Sequence, residues 1–202
     1  MKSKLLLASL IISTNAFAQF PTTDLNAEFG KNQIVTLEKA NKFSLSGKGI
    51  KIGDYIPSIQ LVTSELKPFD TSSDNKSVKV YSVLTSVDTP VCVQQAIDLN
   101  KYFSENQDEL NGIEFFAISA DTPFAQQRFI KDHALQGITY LSDSSKHQFG
   151  LKTGSQIEQL GLLTRSIIVV DKSNKVVYTQ RVPELTTIPD LKEAVRAAKA
   201  YL

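Results

Sequence analysis

The chain has 202 residues, 42% of them hydrophobic and 21% charged, with 22 basic side chains against 21 acidic. This is the composition of a one-domain globular protein, and it excludes disordered and fibrous classes. One cysteine, Cys92, excludes an internal disulfide, a CxxC redox pair and a cysteine-built zinc cluster. The two histidines, His133 and His147, are too far apart for an HExxH metal site, and the near-neutral charge carries no nucleic-acid footprint.

Lys2 and Lys4 precede an apolar run over 5–12, a polar stretch, and then Ala16-Phe17-Ala18. A basic start, a short apolar stretch and a small-x-small site predict a signal peptide over 1–18, cleaved after Ala18. The run is too short to cross roughly 30 Å of hydrocarbon as a helix, so no membrane association is expected. Loss of both lysines leaves a slightly acidic mature chain. The expected destination is a bacterial periplasm. Exported proteins usually pair their cysteines, so a lone thiol there is either buried and inert or reactive.

Residues 19–52 are polar with scattered apolar positions and Gly47 and Gly49, predicting an N-terminal arm or hairpin. The main domain is expected over 53–202. Strands are predicted at 56–62, 78–84, 114–119 and 138–141, with helices at 91–110 and 124–135 between them. The helical side of 91–110 is read as Val93, Ala96, Ile97, Asn100 and Phe103. Residues 142–164 show no clear period. A β-branched strand follows at 166–170, a turn at 171–174, a partner strand at 176–182 and a last helix opened by Pro189. Strands alternating with helices and closing on a hairpin predict an α/β fold, a mixed central sheet flanked by helices.

Cys92 stands where a strand gives way to a helix, in Thr85-Ser86-Val87-Asp88-Thr89-Pro90-Val91-Cys92. Thr89 suits the N-cap and Pro90 the first helical position, which places Cys92 in the first turn. Unsatisfied N–H groups and the positive end of the helix dipole favour a thiolate there. The Thr89 hydroxyl, three residues before Cys92, can orient a small polar substrate beside the sulfur. Asp88 opposes the thiolate. The cationic partner is either Arg165, just before the 166–170 strand, or Arg128, mid-helix, and spacing does not choose between them. The alternative to a reactive thiol is a small buried hydrophobe.

These segments resemble the thiol peroxidase branch of the peroxiredoxins, which have a thioredoxin-like fold. The resemblance is carried by Ser86-Val87-Asp88-Thr89-Pro90-Val91-Cys92, by Ile118-Ser119-Ala120-Asp121-Thr122-Pro123-Phe124-Ala125-Gln126-Gln127-Arg128-Phe129, by Thr164-Arg165-Ser166-Ile167-Ile168-Val169-Val170-Asp171 and by Glu184-Leu185-Thr186-Thr187-Ile188-Pro189-Asp190. It implies that Cys92 is the peroxide-reducing cysteine and that Thr89 and Arg165 bind and polarise the peroxide. It also implies a homodimer and no metal or organic cofactor.

Two positions depart from the family pattern. Thr85 replaces the proline usual seven residues before the cysteine. Ile130 and Ala117 stand where a second cysteine is frequent. The expected function is therefore an exported thiol-dependent peroxidase acting on hydrogen peroxide or organic hydroperoxides. It passes through a Cys92 sulfenic acid and is reduced by an external partner, a small thiol or a thioredoxin-like protein. The alternative is a catalytically impaired redox sensor or binding scaffold on the same fold. Thiol–disulfide exchange is a poor third reading, since Cys92-Val93-Gln94-Gln95 lacks the second cysteine of a CxxC.

Overall fold

The computed structural model describes residues 19–73 and 76–202. The expected signal peptide over 1–18 lies outside the described residues. The N-terminal part contributes β1 (Thr22–Thr23), β2 (Ile34–Leu37) and β3 (Asn41–Ser46). Then come β4 (Gln60–Thr63), β5 (Pro68–Asp70), β6 (Val78–Val83), α1 (Pro90–Glu105), β7 (Ile113–Ser119), α2 (Pro123–Asp132) and β8 (Thr139–Ser142). The chain closes with α3 (Gln148–Thr153), β9 (Gln156–Ile157), β10 (Leu162–Leu163), β11 (Ser166–Val170), β12 (Val176–Arg181), β13 (Ile188–Pro189) and α4 (Leu191–Lys199).

Seven strands form the central sheet in the order β12-β11-β6-β7-β8-β4-β5. β6, β7 and β8 run parallel because each is joined to the next by a helix, α1 and then α2. β11 lies antiparallel to both β6 and β12, and β4 antiparallel to β8 and β5. The sheet is mixed, as the strand–helix alternation and the closing hairpin predict. All six residues of β6 are buried, as befits a central strand covered on both faces. On one face Val78, Val80, Phe115, Ile167 and Val169 pack against Leu99 of α1 and Ala194, Val195 and Ala198 of α4. On the other, Tyr81, Val83, Phe116, Ile118 and Ile168 meet Phe149 of α3 and Ile50, Ile56 and Ile59.

Several boundaries differ from the sequence reading. Helix α1 stops at Glu105 and a 3-10 turn covers Gln107–Leu110. Its buried face is Val91, Cys92, Gln95, Ala96 and Leu99; of the predicted side Ala96 is buried and Val93 and Phe103 pack partly against the core, while Ile97 is exposed. A buried glutamine on that face hides its period. The 56–62 strand begins only at Gln60: Pro57 has no N–H to give, and the Ile59 amide goes to the Thr71 hydroxyl at 3.0 Å instead of to a neighbouring strand. Pro189 pairs with Thr23 in the small parallel β1–β13 sheet, and Asp190 caps α4 by accepting from the Glu193 amide at 3.1 Å. Hairpin β2–β3 extends through β9 and β10 into a second, four-stranded sheet.

Candidate active site

The parallel strand β6 delivers the chain at its carboxyl end to the loop 84–89, and α1 begins there. Crossover connections of this kind place ligand sites at strand carboxyl ends. Thr89 is extended, with φ −114° and ψ 139°, and Pro90 starts the helix. The Thr89 hydroxyl does not cap the helix by its side chain. It donates instead to the Ser86 carbonyl at 3.0 Å, while the Cys92 and Val93 amides both donate to the Thr89 carbonyl at 3.0 Å. With its proton committed, the hydroxyl oxygen presents lone pairs as an acceptor.

Cys92 is fully buried, at 0% exposure, among Leu84, Val87, Ala96, Ala117, Phe129, Leu135 and Tyr140. Two donors reach its sulfur from this apolar pocket. The Ser86 amide lies 3.4 Å from Sγ and Nη1 of Arg165 lies 3.2 Å from it. Arg165 is itself only 1% exposed. Its Nη1 also donates to Oε1 of Gln95 at 2.6 Å, and its Nε to the Leu185 carbonyl at 3.3 Å. Among the described residues no carboxylate forms an ion pair with Arg165. Burying an unpaired charge costs several kcal/mol. In this contact set the sulfur is the one group able to carry the compensating negative charge.

Arg128, the other cation left open by spacing, is on the exposed side of α2. The structure brings Arg165 to the sulfur. Asp88 is also exposed, and the carboxylate that meets the loop is Asp121 of the Ser119-Ala120-Asp121 segment. Asp121 accepts from the Ser86 hydroxyl at 2.9 Å and from the Val87 amide at 2.8 Å. It thereby holds Ser86, whose own N–H faces Cys92, by its side chain and by the peptide that follows. His133 closes α2 as its C-cap and its ring lies tilted against Phe129, with centroids 4.9 Å apart and an interplanar angle of 58°.

Gln95 joins the site as a residue that the sequence reading does not include. Its amide nitrogen donates to the Ser82 hydroxyl at 2.9 Å while its oxygen holds Arg165. The available signal was position: it lies three residues after Cys92, on the same helical face. Thr85 is 6% exposed, and its buried hydroxyl has no hydrogen-bond partner among the described residues. Where the family proline presents a ring, this chain presents an unsatisfied hydroxyl.

A buried cysteine in the first turn of a helix, faced by an arginine that leads into a neighbouring strand of a thioredoxin-like sheet, defines a peroxiredoxin. Comparisons agree. A family model described as Redoxin matches residues 51–196. The thiol peroxidase of Clostridium acetobutylicum is 38% identical over 162 residues, covering 80% of this chain and 96% of that one. The thiol peroxidase of Bacillus subtilis is 35% identical over 164 residues, covering 81% and 96%. The crystal structure of a peroxiredoxin-like protein from Aquifex aeolicus superposes with a TM-score of 0.77 at 31% identity, covering 86% of this chain and 99% of that one. The chain belongs to the Redoxin family, in its thiol peroxidase branch, and is a peroxidase oxidoreductase.

Proposed function

We propose that the protein is an exported single-cysteine peroxidase that reduces hydrogen peroxide or organic hydroperoxides at Cys92. The observation that carries this reading is the buried Arg165 guanidinium 3.2 Å from the buried Cys92 sulfur, with no carboxylate paired to it among the described residues. The thiolate attacks one peroxide oxygen, an S–O bond forms and the O–O bond breaks. The leaving hydroxide or alkoxide takes a proton to become water or an alcohol, and Cys92 becomes a sulfenic acid. Arg165 stabilises charge on the sulfur and on the leaving oxygen. Thr89, with its own proton on the Ser86 carbonyl, accepts from the peroxide O–H and holds it in line.

With one cysteine in the sequence, the sulfenic acid is resolved from outside. An external thiol attacks the sulfur, releasing water and forming a mixed disulfide. A second thiol then restores Cys92 and leaves as the oxidised disulfide. A small thiol or a thioredoxin-like protein fits this role. The 1–18 sequence supports export to the periplasm with cleavage after Ala18, and the family resemblance supports a homodimer. The test is thiol-supported peroxide consumption by the mature chain: turnover that vanishes in Cys92→Ser is expected, and equal turnover in that variant overturns the reading.

Thr85 favours one second reading, a redox sensor or scaffold with impaired turnover. Its buried hydroxyl takes the place of a shielding ring. Fast oxidation of Cys92 without turnover on any added thiol, joined to a marked gain of rate in Thr85→Pro, distinguishes that reading from the first.

A further inference from the structure

The β2–β3 hairpin turns through Glu38 and Lys39, both in the left-handed region with φ of 53° and 59°. For residues with a Cβ this conformation is strained and persists where the surroundings hold it. A single buried carboxylate imposes it here. Glu184 is 9% exposed and accepts from the Glu38 amide at 2.9 Å and the Lys39 amide at 3.0 Å. It also accepts from the Thr36 hydroxyl at 2.6 Å, and from the Thr186 amide and hydroxyl at 3.1 and 2.9 Å. Successive N–H groups in such a turn form a cradle for an anion. This cradle is filled from within the chain.

The clasp reaches the active site through the next residue. The Leu185 carbonyl is the acceptor for Arg165 Nε. The Leu185 amide donates to the Thr36 carbonyl at 2.8 Å, and the Thr36 amide to the Pro183 carbonyl at 2.9 Å. The Leu185 side chain is buried with Val35, Leu45 and Ile157. The loop 183–187 is thus locked to the hairpin on both sides of the carbonyl that holds Arg165.

We propose that Glu184 is a positioning residue of the peroxidase site: it fixes the 183–187 loop so that the Leu185 carbonyl aims the Arg165 fork at the Cys92 sulfur. The inference rests on the reading of Cys92 as the attacking thiolate. A guanidinium is planar, and acceptors at Nε and Nη1 set its plane. Leu185 and Gln95 are those acceptors. Loss of the first frees the plane to turn about the second. Glutamine at 184 keeps one acceptor oxygen but turns its NH2 toward whichever of the Glu38 and Lys39 amides the other carboxylate oxygen served, donor against donor.

The test measures oxidation of Cys92 by hydrogen peroxide in the full mature chain, as wild type, Glu184→Gln, Arg165→Ala and the double variant. Glu184→Gln is expected to lose about tenfold in rate, the scale of a small misplacement of a reacting group. In the Arg165→Ala background the same change is expected to cost less than about twofold, because its effect passes through Arg165. An equal loss in both backgrounds, or a folded Glu184→Gln at wild-type rate, overturns the proposal. If Glu184→Gln does not fold, Thr36→Val decides: it removes one donor, and about a threefold loss confined to the Arg165 background is expected. Thr36→Val at wild-type rate, or equally impaired in both backgrounds, overturns the proposal. The same variants are compared by iodoacetamide alkylation of Cys92, which reads the hold of Arg165 on the sulfur without peroxide. Slower alkylation in the variants, with no peroxide oxidation in wild type, counts against the function and supports the positioning role. Unchanged alkylation overturns that role.

Discussion

Nη1 of Arg165 lies 3.2 Å from Sγ of Cys92, across 73 residues of sequence, and both side chains are buried. One comes from the strand end before β11 and the other from the first turn of α1. A buried cation beside a thiol in a pocket of aliphatic and aromatic side chains is an arrangement for holding negative charge. Removing the cation is therefore expected to hurt chemistry far more than folding. Arg165→Ala is expected to lower the rate of Cys92 oxidation by about 100-fold or more, the scale for one lost electrostatic donor. Arg165→Lys recovers only part, since a point charge does not reproduce the planar fork. Stopped-flow oxidation with hydrogen peroxide measures both.

Asp121 supports the other donor to the sulfur. Its carboxylate takes the Ser86 hydroxyl and the Val87 amide, and the Ser86 amide faces Cys92. Asp121→Ala leaves the Val87 amide unsatisfied, and about 1–3 kcal/mol of stability is expected to go with it. Asp121→Asn keeps one acceptor oxygen and is expected to fall between. Urea unfolding of the three chains gives the order directly.

Thr85 runs the opposite way. Its buried hydroxyl has no partner among the described residues, so the fold carries a desolvation cost there. Thr85→Val, similar in shape and without the hydroxyl, is expected to stabilise by about 1 kcal/mol and raise Tm by roughly 2–4 °C. A lower Tm in the valine variant indicates that the hydroxyl is satisfied in solution.

Glu184 ties acid stability to the hairpin. Burial pushes its carboxyl up, but the Thr36, Lys39 and Thr186 donors outweigh burial and hold it down at about 2, against 4.5 ordinarily. A lowered pKa stabilises the fold above the unfolded value, and that contribution is lost as pH falls from about 4.5 through about 2. Glu184→Gln has no such contribution to lose. Its unfolding free energy is expected to fall less steeply than wild type over that window, measured by denaturant titrations at several pH values.

The elements that sequence made legible are those whose pattern is local. Ser166–Val170 reads as a strand because β-branched residues fill it, and β11 occupies that span. Pro90 after Thr89 marks the start of α1. The 142–164 stretch was opaque because its pieces are short and rest on distant partners. Helix α3 has 6 residues and starts from His147 in the left-handed region, while β9 pairs with β3 across more than a hundred residues. In the site, the strand–cap–helix motif marks Cys92 and Thr89, while position marks Arg165 only as one of two candidate cations and the family resemblance alone prefers it to Arg128. Gln95 and Glu184 were not visible. A glutamine on a helix reads as solvated surface, and the donors that make Glu184 a clasp lie 145–148 residues away.

The measurement that bears most directly on the central claim is the intact mass of the reduced mature chain after one equivalent of hydrogen peroxide, without thiol, followed by peptide mapping. The expected result is a gain of one oxygen atom on Cys92, reversed by added thiol, with no such gain in Cys92→Ser. A chain that consumes no peroxide and keeps Cys92 as an alkylatable thiol would contradict the account.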